Sequence, residues 1–386
     1  METFIPYGRQ SIDEDDVAAV TRILHSDFLT QGPEIEHFEA MICELTGAKH
    51  CVAVTSATAA LHLAVAALHV EQGLEGITSP ITFLASANCM VYNGLIPRFA
   101  DICSDTYNID PASIEAAMSD RTKVVIPVHF AGQAADMEEI AGVCARGGVH
   151  VIEDAAHAIG SRYPDGSQVG NCRYSVMTVF SFHPVKTMTT GEGGAVTTND
   201  SDLFERLKML RSHGIFRDFR AGDMVPGPWY YEMRELGFNY RLTDIQAALG
   251  VSQMLKLNWF VQRRREIVDR YNAAFRNVAW LTVPYEPPGL RSAFHLYVLK
   301  IDFQSIGLER AQVIGALREK GIGTQVHYIP VYLQPYYRRT YEYAPGLCPR
   351  AEAYYAQALS IPLFPAMTDA ETVRVIDSVL SLADRL

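Results

Sequence analysis

A chain of 386 residues is longer than one ordinary domain and long enough to bury a large core. Its 48% hydrophobic and 20% charged content are globular values, and they suit one large α/β domain with a smaller one appended. A net charge of −11 argues against nucleic acid or an anionic membrane as partner, since both need a basic face; a phosphorylated small molecule needs only local donors.

The amino-terminal stretch METFIPYGRQ has neither a basic run nor an apolar one, so no signal peptide is expected. Ser11–His25 is amphipathic, with Ser11 as N-cap and Glu14 three residues on, the pattern of a capping box. Asp27–Gly32 is turn-like, and a second helix is predicted over Glu34–Leu45. Cys51–Thr55 is a short strand, after which Ser56-Ala57-Thr58 opens an alanine-rich helix over Ala59–Leu68. A strand, a small hydroxyl turn and a helix offer free backbone N–H groups and a positive dipole end to an anion. An ordinary N-cap is the competing reading. The most apolar window, Cys51–Val70, is interrupted by hydroxyls and His62 and is too polar to span a membrane.

Ile77–Pro80, Ile96–Ala100 and Lys123–Val128 are further strands, with helices over Pro111–Met118 and Asp136–Ala145. A helix begins at Thr82-Phe83, so Phe83 lies at a strand's carboxyl end, where it can stack on a planar ring or simply fill core. The strand His150–Glu153 ends in Asp154, followed by Ala155-Ala156-His157. This strand–helix alternation over Cys51–Phe182 predicts a mostly parallel sheet with helices on both faces.

An acid at the end of a buried strand demands a cationic or donor partner. A protonated pyridine nitrogen would serve Asp154, and His157 could hydrogen-bond a ring hydroxyl. Two other readings are weaker. A metal pair of Asp154 and His157 lacks third and fourth ligands at suitable spacing, and a Ser181–His157–Asp154 hydrolase lacks a GxSxG elbow.

The stretch Ser175–Gly194 carries the sharpest signal. Val176–Phe182 is a buried strand that cannot continue through Pro184, so Lys186 sits just past its end, where open α/β sheets place ligands. Thr189, Thr190, Gly191, Gly193 and Gly194 follow. An amine on a rigid turn near buried strands can lose its proton and attack a carbonyl, which makes Lys186 a candidate Schiff-base lysine for pyridoxal 5'-phosphate (PLP). A surface lysine in a glycine-rich loop is the bland alternative.

Ala195–Thr198 is a strand and Asp200–Arg211 a helix. Residues 216–229, rich in Gly, Pro and charge, are expected to form a mobile loop near the site or at a subunit contact. Gly237–Asp244 leads into helices that run to about Phe275. The remainder suggests a smaller α+β unit with strand Phe294–Ile301, helix Glu309–Lys320, strand Gly323–His327 and final helix Ala370–Ala383. Gln325–Tyr328 would then end a strand facing the cleft. The seven cysteines form no CxxC motif and suit buried, reduced thiols of a cytosolic protein.

Together, SATAALHLA, ITFLASAN, EDAAHAIGS, SFHPVKTMTTGEGG and GFNYRLTDIQAALG resemble the DegT/DnrJ/EryC1/StrS family of PLP-dependent sugar aminotransferases. The resemblance covers essentially the whole chain. It implies the α/β, aspartate-aminotransferase-like fold type I. Residues 1–255 would form an N-terminal arm and large PLP-binding domain, and 256–386 a linking helix and small C-terminal α+β domain. It further implies that Lys186 bonds PLP, Asp154 pairs with the pyridine nitrogen, Phe83 stacks on the ring and His157 lies by the ring hydroxyl. Ala57, Thr58 and Ser181 would hold the phosphate together with Asn239 of the partner subunit in a homodimer. Family members that carry histidine in place of the lysine act as dehydratases, and Lys186 argues against that chemistry here.

Within the family, SFHPVKTMTTGEGGAVTTND, RSHGIF and GIGTQVHYIPVY resemble the members acting in pseudaminic acid biosynthesis. By that resemblance Tyr7, Asp27, Phe28, Leu29, Thr30, Gln325, Val326, His327 and Tyr328 contact a UDP-sugar, and L-glutamate supplies the amine. The acceptor would be UDP-2-acetamido-2,6-dideoxy-β-L-arabino-hex-4-ulose, aminated at C4 in the cytoplasm. Other nucleotide keto-sugars of bacillosamine or perosamine type, or C3 acceptors, are the alternatives. A non-catalytic PLP-binding regulator is a further one, disfavoured by the retained lysine and the lack of a preceding DNA-binding module.

Overall fold

The computed structural model describes residues 3–217, 219 and 226–383. In chain order the elements are α1 (Glu14–Leu24), α2 (Pro33–Thr46), β1 (His50–Val54), α3 (Ala57–Ala67), β2 (Glu75–Thr78), α4 (Ala85–Tyr92), β3 (Ile96–Phe99), α5 (Pro111–Ala117), β4 (Thr122–Ile126), α6 (Met137–Gly147), β5 (His150–Asp154), β6 (Met177–Ser181), β7 (Gly194–Thr198) and α7 (Ser201–Arg211). A short hairpin follows, β8 (Ile215–Phe216) and β9 (Glu232–Met233), then α8 (Asp244–Leu255), α9 (Leu257–Phe275), β10 (Leu281–Thr282), β11 (Tyr297–Ile301), α10 (Arg310–Glu319), α11 (Pro335–Tyr341), α12 (Pro349–Gln357), β12 (Ala358–Ile361) and α13 (Asp369–Leu380).

β1 to β7 form one seven-stranded sheet in the order β1-β7-β6-β5-β4-β2-β3. Only β7 runs against its neighbours; the pairs β2–β3, β2–β4, β4–β5 and β5–β6 are parallel. The mostly parallel sheet read from the strand–helix alternation is therefore present. Its strands are nearly continuous apolar runs because both faces are covered. Val52, Val54, Ile152 and Val179 pack into a core on one face, whereas Cys51, Ala53, Val151 and Phe180 pack into a second core on the other. That split is the two-residue period of a strand. Removing a side chain such as Val179 from water contributes roughly 1.5–3 kcal/mol.

A second, antiparallel sheet has the order β10-β11-β12 and rests on a third core that includes Tyr297, Leu299, Ile361, Val313 and Val375. The seven cysteines are free thiols; Cys43 and Cys103 are half-buried and the rest buried. Among the described residues no helix is long and apolar enough to cross a membrane.

Several boundaries differ from the sequence reading. α1 starts at Glu14 and is capped by Asp13, not Ser11. Asp13 Oδ1 accepts the amides of Asp15 and Asp16, and Asp16 Oδ2 accepts the Asp13 amide, so the carboxylate pair outcompetes the hydroxyl. Ser11 contributes its carbonyl, which accepts from Gln253 Nε2. α4 starts at Ala85 rather than Thr82, because Ser79 Oγ accepts the Ile81 amide in a tight turn ahead of it.

Gly323–His327 is not a strand. Its one ladder contact is the Gln325–Ser360 bridge, while the Gly323 amide donates to the carbonyl of Ile5. β11 instead pairs antiparallel with β12. α11, α12 and β12 are additional to the predicted elements. In the segment 216–229, residue 218 and residues 220–225 lie outside the described residues, and the expectation of a mobile loop rests largely on them.

Candidate active site

The parallel strands deliver their carboxyl ends to one edge of the sheet, as open α/β sheets do. Asp154 ends β5, Ser181 ends β6, and α3 begins three residues past β1. These ends border a cavity of about 800 Å³ whose far side is formed by Gln325, Val326, His327 and Tyr328. Tyr7, Ala57, Thr58, Phe83, His157 and Lys186 also line it.

The loop between β6 and β7 presents Lys186. Phe182 and Thr190 close its base, with the Phe182 amide donating to Gly193 and the Thr190 amide to Phe182. Two glycines permit this closure. A Cβ at Gly193 would lie 2.2 Å from Thr190 Oγ1, and one at Gly194 would lie 2.5 Å from the Ala57 amide nitrogen. β7 thus passes directly against the first turn of α3. Ser56 Oγ caps the Ala59 amide at 3.1 Å. The amides of Ala57 and Thr58 stand in the first turn, where no intrahelical acceptor exists, at the positive end of the helix.

Burial pulls the Lys186 amine from the ordinary 10.5 down to about 8, against the opposing attraction of Asp154. An appreciable share of this amine is neutral near physiological pH, as a nucleophile or proton carrier requires. The Asp154 carboxylate is buried and held at both oxygens. Ser86 Oγ donates to Oδ2 at 2.6 Å and the Ala156 amide to Oδ1 at 3.1 Å. On the opposite side of β5, Glu153 is wholly buried and accepts from Ser175, Thr178, Tyr163 and His129. That network fixes the strand that carries Asp154.

His157 Nδ1 accepts the Ala131 amide at 3.3 Å, so its proton sits on Nε2, which faces the Tyr328 hydroxyl at 3.3 Å. Burial first, then repulsion by Lys186, holds this imidazole well below its ordinary range and therefore neutral. The serine-hydrolase alternative fails on this geometry, since neither ring nitrogen of His157 is bonded to Ser181 or Asp154. His327 is pushed down to about 3 by burial and Lys186, and its Nδ1 meets Ser360 Oγ at 2.8 Å. Phe83 leaves 57% of its surface exposed at the cavity, and its ring centroid lies 6.5 Å from that of Tyr328.

The structure does not bring every expected residue here. Asp27, Phe28, Leu29 and Thr30 are exposed and run beside the start of α8, where the Leu29 carbonyl accepts the Asp244 amide. Asn239 is exposed and bridges Ser212. None of these five lines the cavity of its own chain. Conversely, His183, Glu192 and His295 line it and had no place in the sequence reading. His183 and Glu192 lie within the lysine motif and could have been flagged by proximity. His295, in the apolar run SAFHLYV, reads as a core histidine; only folding places its ring 4.4 Å from that of His157.

The model of the DegT/DnrJ/EryC1/StrS aminotransferase family matches residues 10–380. The chain belongs to that family. This aminotransferase is 41% identical over 377 residues to the spore coat polysaccharide biosynthesis protein SpsC of Bacillus subtilis, covering 97% of this chain and 96% of that one. Its fold is similar to that of Helicobacter pylori PseC, an aminotransferase involved in the biosynthesis of pseudoaminic acid, with a TM-score of 0.93, 32% identity and all of both chains covered. It is also similar to the sugar aminotransferase candidate Spr1654 of Streptococcus pneumoniae in its PLP form, with a TM-score of 0.90 and 29% identity over 99% of each chain. The fold is thus aminotransferase fold type I, and the enzyme is a PLP-dependent sugar aminotransferase.

The residues present fit PLP. The α3 terminus offers amide donors to a phosphate, in a cradle that a side chain at position 194 would obstruct. Asp154 is a buried carboxylate that would suit a protonated pyridine nitrogen, and Phe83 would offer an aromatic face. Lys186 is an amine of lowered basicity for the aldehyde carbon.

Proposed function

We propose that this aminotransferase moves the amino group of L-glutamate to C4 of UDP-2-acetamido-2,6-dideoxy-β-L-arabino-hex-4-ulose, a step of pseudaminic acid biosynthesis. The observation that carries this reading is the similarity to PseC along the full length of both chains. The segments around Lys186 and Gln325–Tyr328, which resembled that branch of the family, border one cavity.

The cofactor, when bound, supplies an electron sink for cleavage of the donor's Cα–H bond and a carrier for its amino group. The chain's residues do the rest. Lys186 would hold the cofactor and, once freed from it by the donor amine, its Nζ would accept a proton from the donor's Cα and, in the second half-reaction, deliver one to sugar C4. The Asp154 carboxylate keeps the pyridine nitrogen protonated by direct charge attraction, and Ser86 and Ala156 prevent it from rotating away. The α3 amides, Thr58 and Ser181 anchor the phosphate. The neutral His157 offers its Nε2–H beside the ring hydroxyl, in company with Tyr328.

In the same reading residues 1–255 and 256–386 act as large and small domains of a cytoplasmic homodimer. Asn239 and Asp27–Thr30, which do not line the cavity of their own chain, would serve the cavity of the other subunit. Tyr7 and Gln325–Tyr328 contact the sugar. Buried polar partners of this kind reject analogues lacking the matching hydroxyl or acetamido group.

A second reading comes from the 41% identity to SpsC: another 4-keto-hexose destined for a surface polysaccharide. The two are separated by offering the L-arabino and D-xylo 4-keto epimers separately, with glutamate, and assigning the amine by NMR coupling constants. A 4-amino-4,6-dideoxy-L-altrose product from the L-arabino epimer is expected. Exclusive amination of the D-xylo epimer would overturn the substrate and leave the chemistry intact.

A further inference from the structure

Three consecutive arginines, Arg263, Arg264 and Arg265, lie on α9, and they are treated differently. Arg263 pairs with Asp369 at 2.8 Å and Glu266 at 3.1 Å, and Arg265 pairs with Glu286 at 2.8 Å. Arg264 turns inward, is 1% exposed, and among the described residues has no carboxylate within ion-pair distance. Its Nη1 donates to the carbonyls of Leu363 at 2.8 Å and His295 at 3.3 Å, and its Nη2 reaches the carbonyl of Lys186 at 3.5 Å. Among the described residues its Nε has no partner.

Burying a guanidinium without an anion is costly, and a methionine in the same space would avoid that cost. Burial does lower its basicity, to about 10, so it remains a cation at neutral pH. What the cation supplies is geometry. Its planar fork serves several carbonyls at once, with charge-assisted bonds, as neither lysine nor an apolar residue can. The three carbonyls belong to three separate segments, the lysine loop, the entrance to β11 and the chain after β12. Two of the three residues, Lys186 and His295, line the cavity.

We propose that Arg264 is a positioning residue, which ties the Lys186 backbone to the His295 backbone and so sets how far the Lys186 amine reaches into the cavity. The proposal rests on Lys186 being the reactive amine. A displacement of that amine by about 1 Å costs on the order of 100-fold in rate. The rival account is a core arginine that only holds the fold together.

The variant Arg264→Met distinguishes them in the PLP-loaded full chain, with four readings: kcat, KM for glutamate, Tm, and the fraction of bound PLP that borohydride fixes to Lys186. Positioning predicts kcat lower by roughly 10- to 100-fold with KM changed by less than about threefold. It also predicts total PLP unchanged and a reduced fixed fraction, independent of any change in Tm. Arg264→Lys, which keeps the charge and loses the fork, should fall between the two. Wild-type kcat and fixation in folded Arg264→Met overturn the proposal. So does a fall in Tm that tracks the loss of kcat and is not relieved in Arg264→Lys. If Arg264→Met does not fold, Arg264→Gln is measured for fixation; a reduced fraction supports the proposal and a wild-type fraction overturns it. Failure of the wild type itself to fix PLP on Lys186 would instead sink the role of the lysine.

Discussion

The two sides of the cavity are built by different means. The side that carries Asp154 and Ser181 is set by backbone ladders: Asp154 pairs with Val179 in the parallel register of β5 and β6, and with Val128 on its other side. The side formed by Gln325–Tyr328 has no strand. It is pinned by the Gln325–Ser360 bridge, by Ser360 Oγ on His327, and by the Tyr354 hydroxyl, which donates to the His327 carbonyl at 2.8 Å. A ladder holds position whatever the side chain, whereas side-chain pins do not survive their own substitution. Changes on the first side should therefore alter chemistry at fixed geometry, and changes on the second should alter substrate fit.

The largest expected effect is on the first side. Lys186→Ala removes the group proposed to carry both proton transfers and should lower kcat on the order of 10⁴-fold, measured as 2-oxoglutarate release, while PLP still binds weakly through its phosphate. Asp154→Asn keeps the ladder and the hydrogen-bonding shape but loses the charge. It should cost roughly 100- to 1000-fold in kcat with Tm nearly unchanged, by steady-state kinetics and calorimetry. A large fall in Tm in that variant would blur the contrast between the two sides.

A third effect concerns stability. The Lys186 amine has a folded value of about 8 against an ordinary 10.5, so the unfolded chain binds more protons between those values. The resulting penalty on the PLP-free fold is complete below pH 8 and is relieved as pH rises toward 10.5. PLP-free Lys186→Met should accordingly be more stable than wild type at pH 7, by on the order of 3 kcal/mol, with the difference largely gone by about pH 10.5. Urea denaturation at a series of pH values measures this, and a difference independent of pH would contradict it.

The smallest effect belongs to the second side. Tyr354→Phe removes one buried donor and should cost about 1 kcal/mol of stability. It should raise KM for the sugar several-fold and leave kcat within about twofold. Equal losses in kcat would mean that this side also positions the reacting atoms.

The same division explains what was legible in the sequence. Strand ends can be read from apolar runs that stop at Pro, Gly or an acid, so Asp154 and Lys186 stood out, and both line one cavity. Segments held by side-chain pins carry no periodic signal. Gly323–His327 therefore read as a strand, Ser360 and Tyr354 went unnoticed, and β12 was missed because ALSI is only four residues long. His295 and Arg264 look like ordinary members of an apolar run and a charged helix until folding sets the His295 ring beside His157 and the Arg264 guanidinium at the Lys186 carbonyl. Asp27–Thr30 and Asn239 were placed by family resemblance alone, and in a single chain they do not line the cavity.

The central claim is that Lys186 is the amine that holds the cofactor and moves the proton. It is tested most directly by reducing the PLP-loaded wild-type enzyme with borohydride, digesting it, and sequencing the cofactor-bearing peptide by mass spectrometry. The account predicts a single modified peptide with PLP on Lys186, lost when excess glutamate is added before reduction. PLP fixed to another lysine, or fixation on Lys186 that glutamate does not diminish, would contradict it.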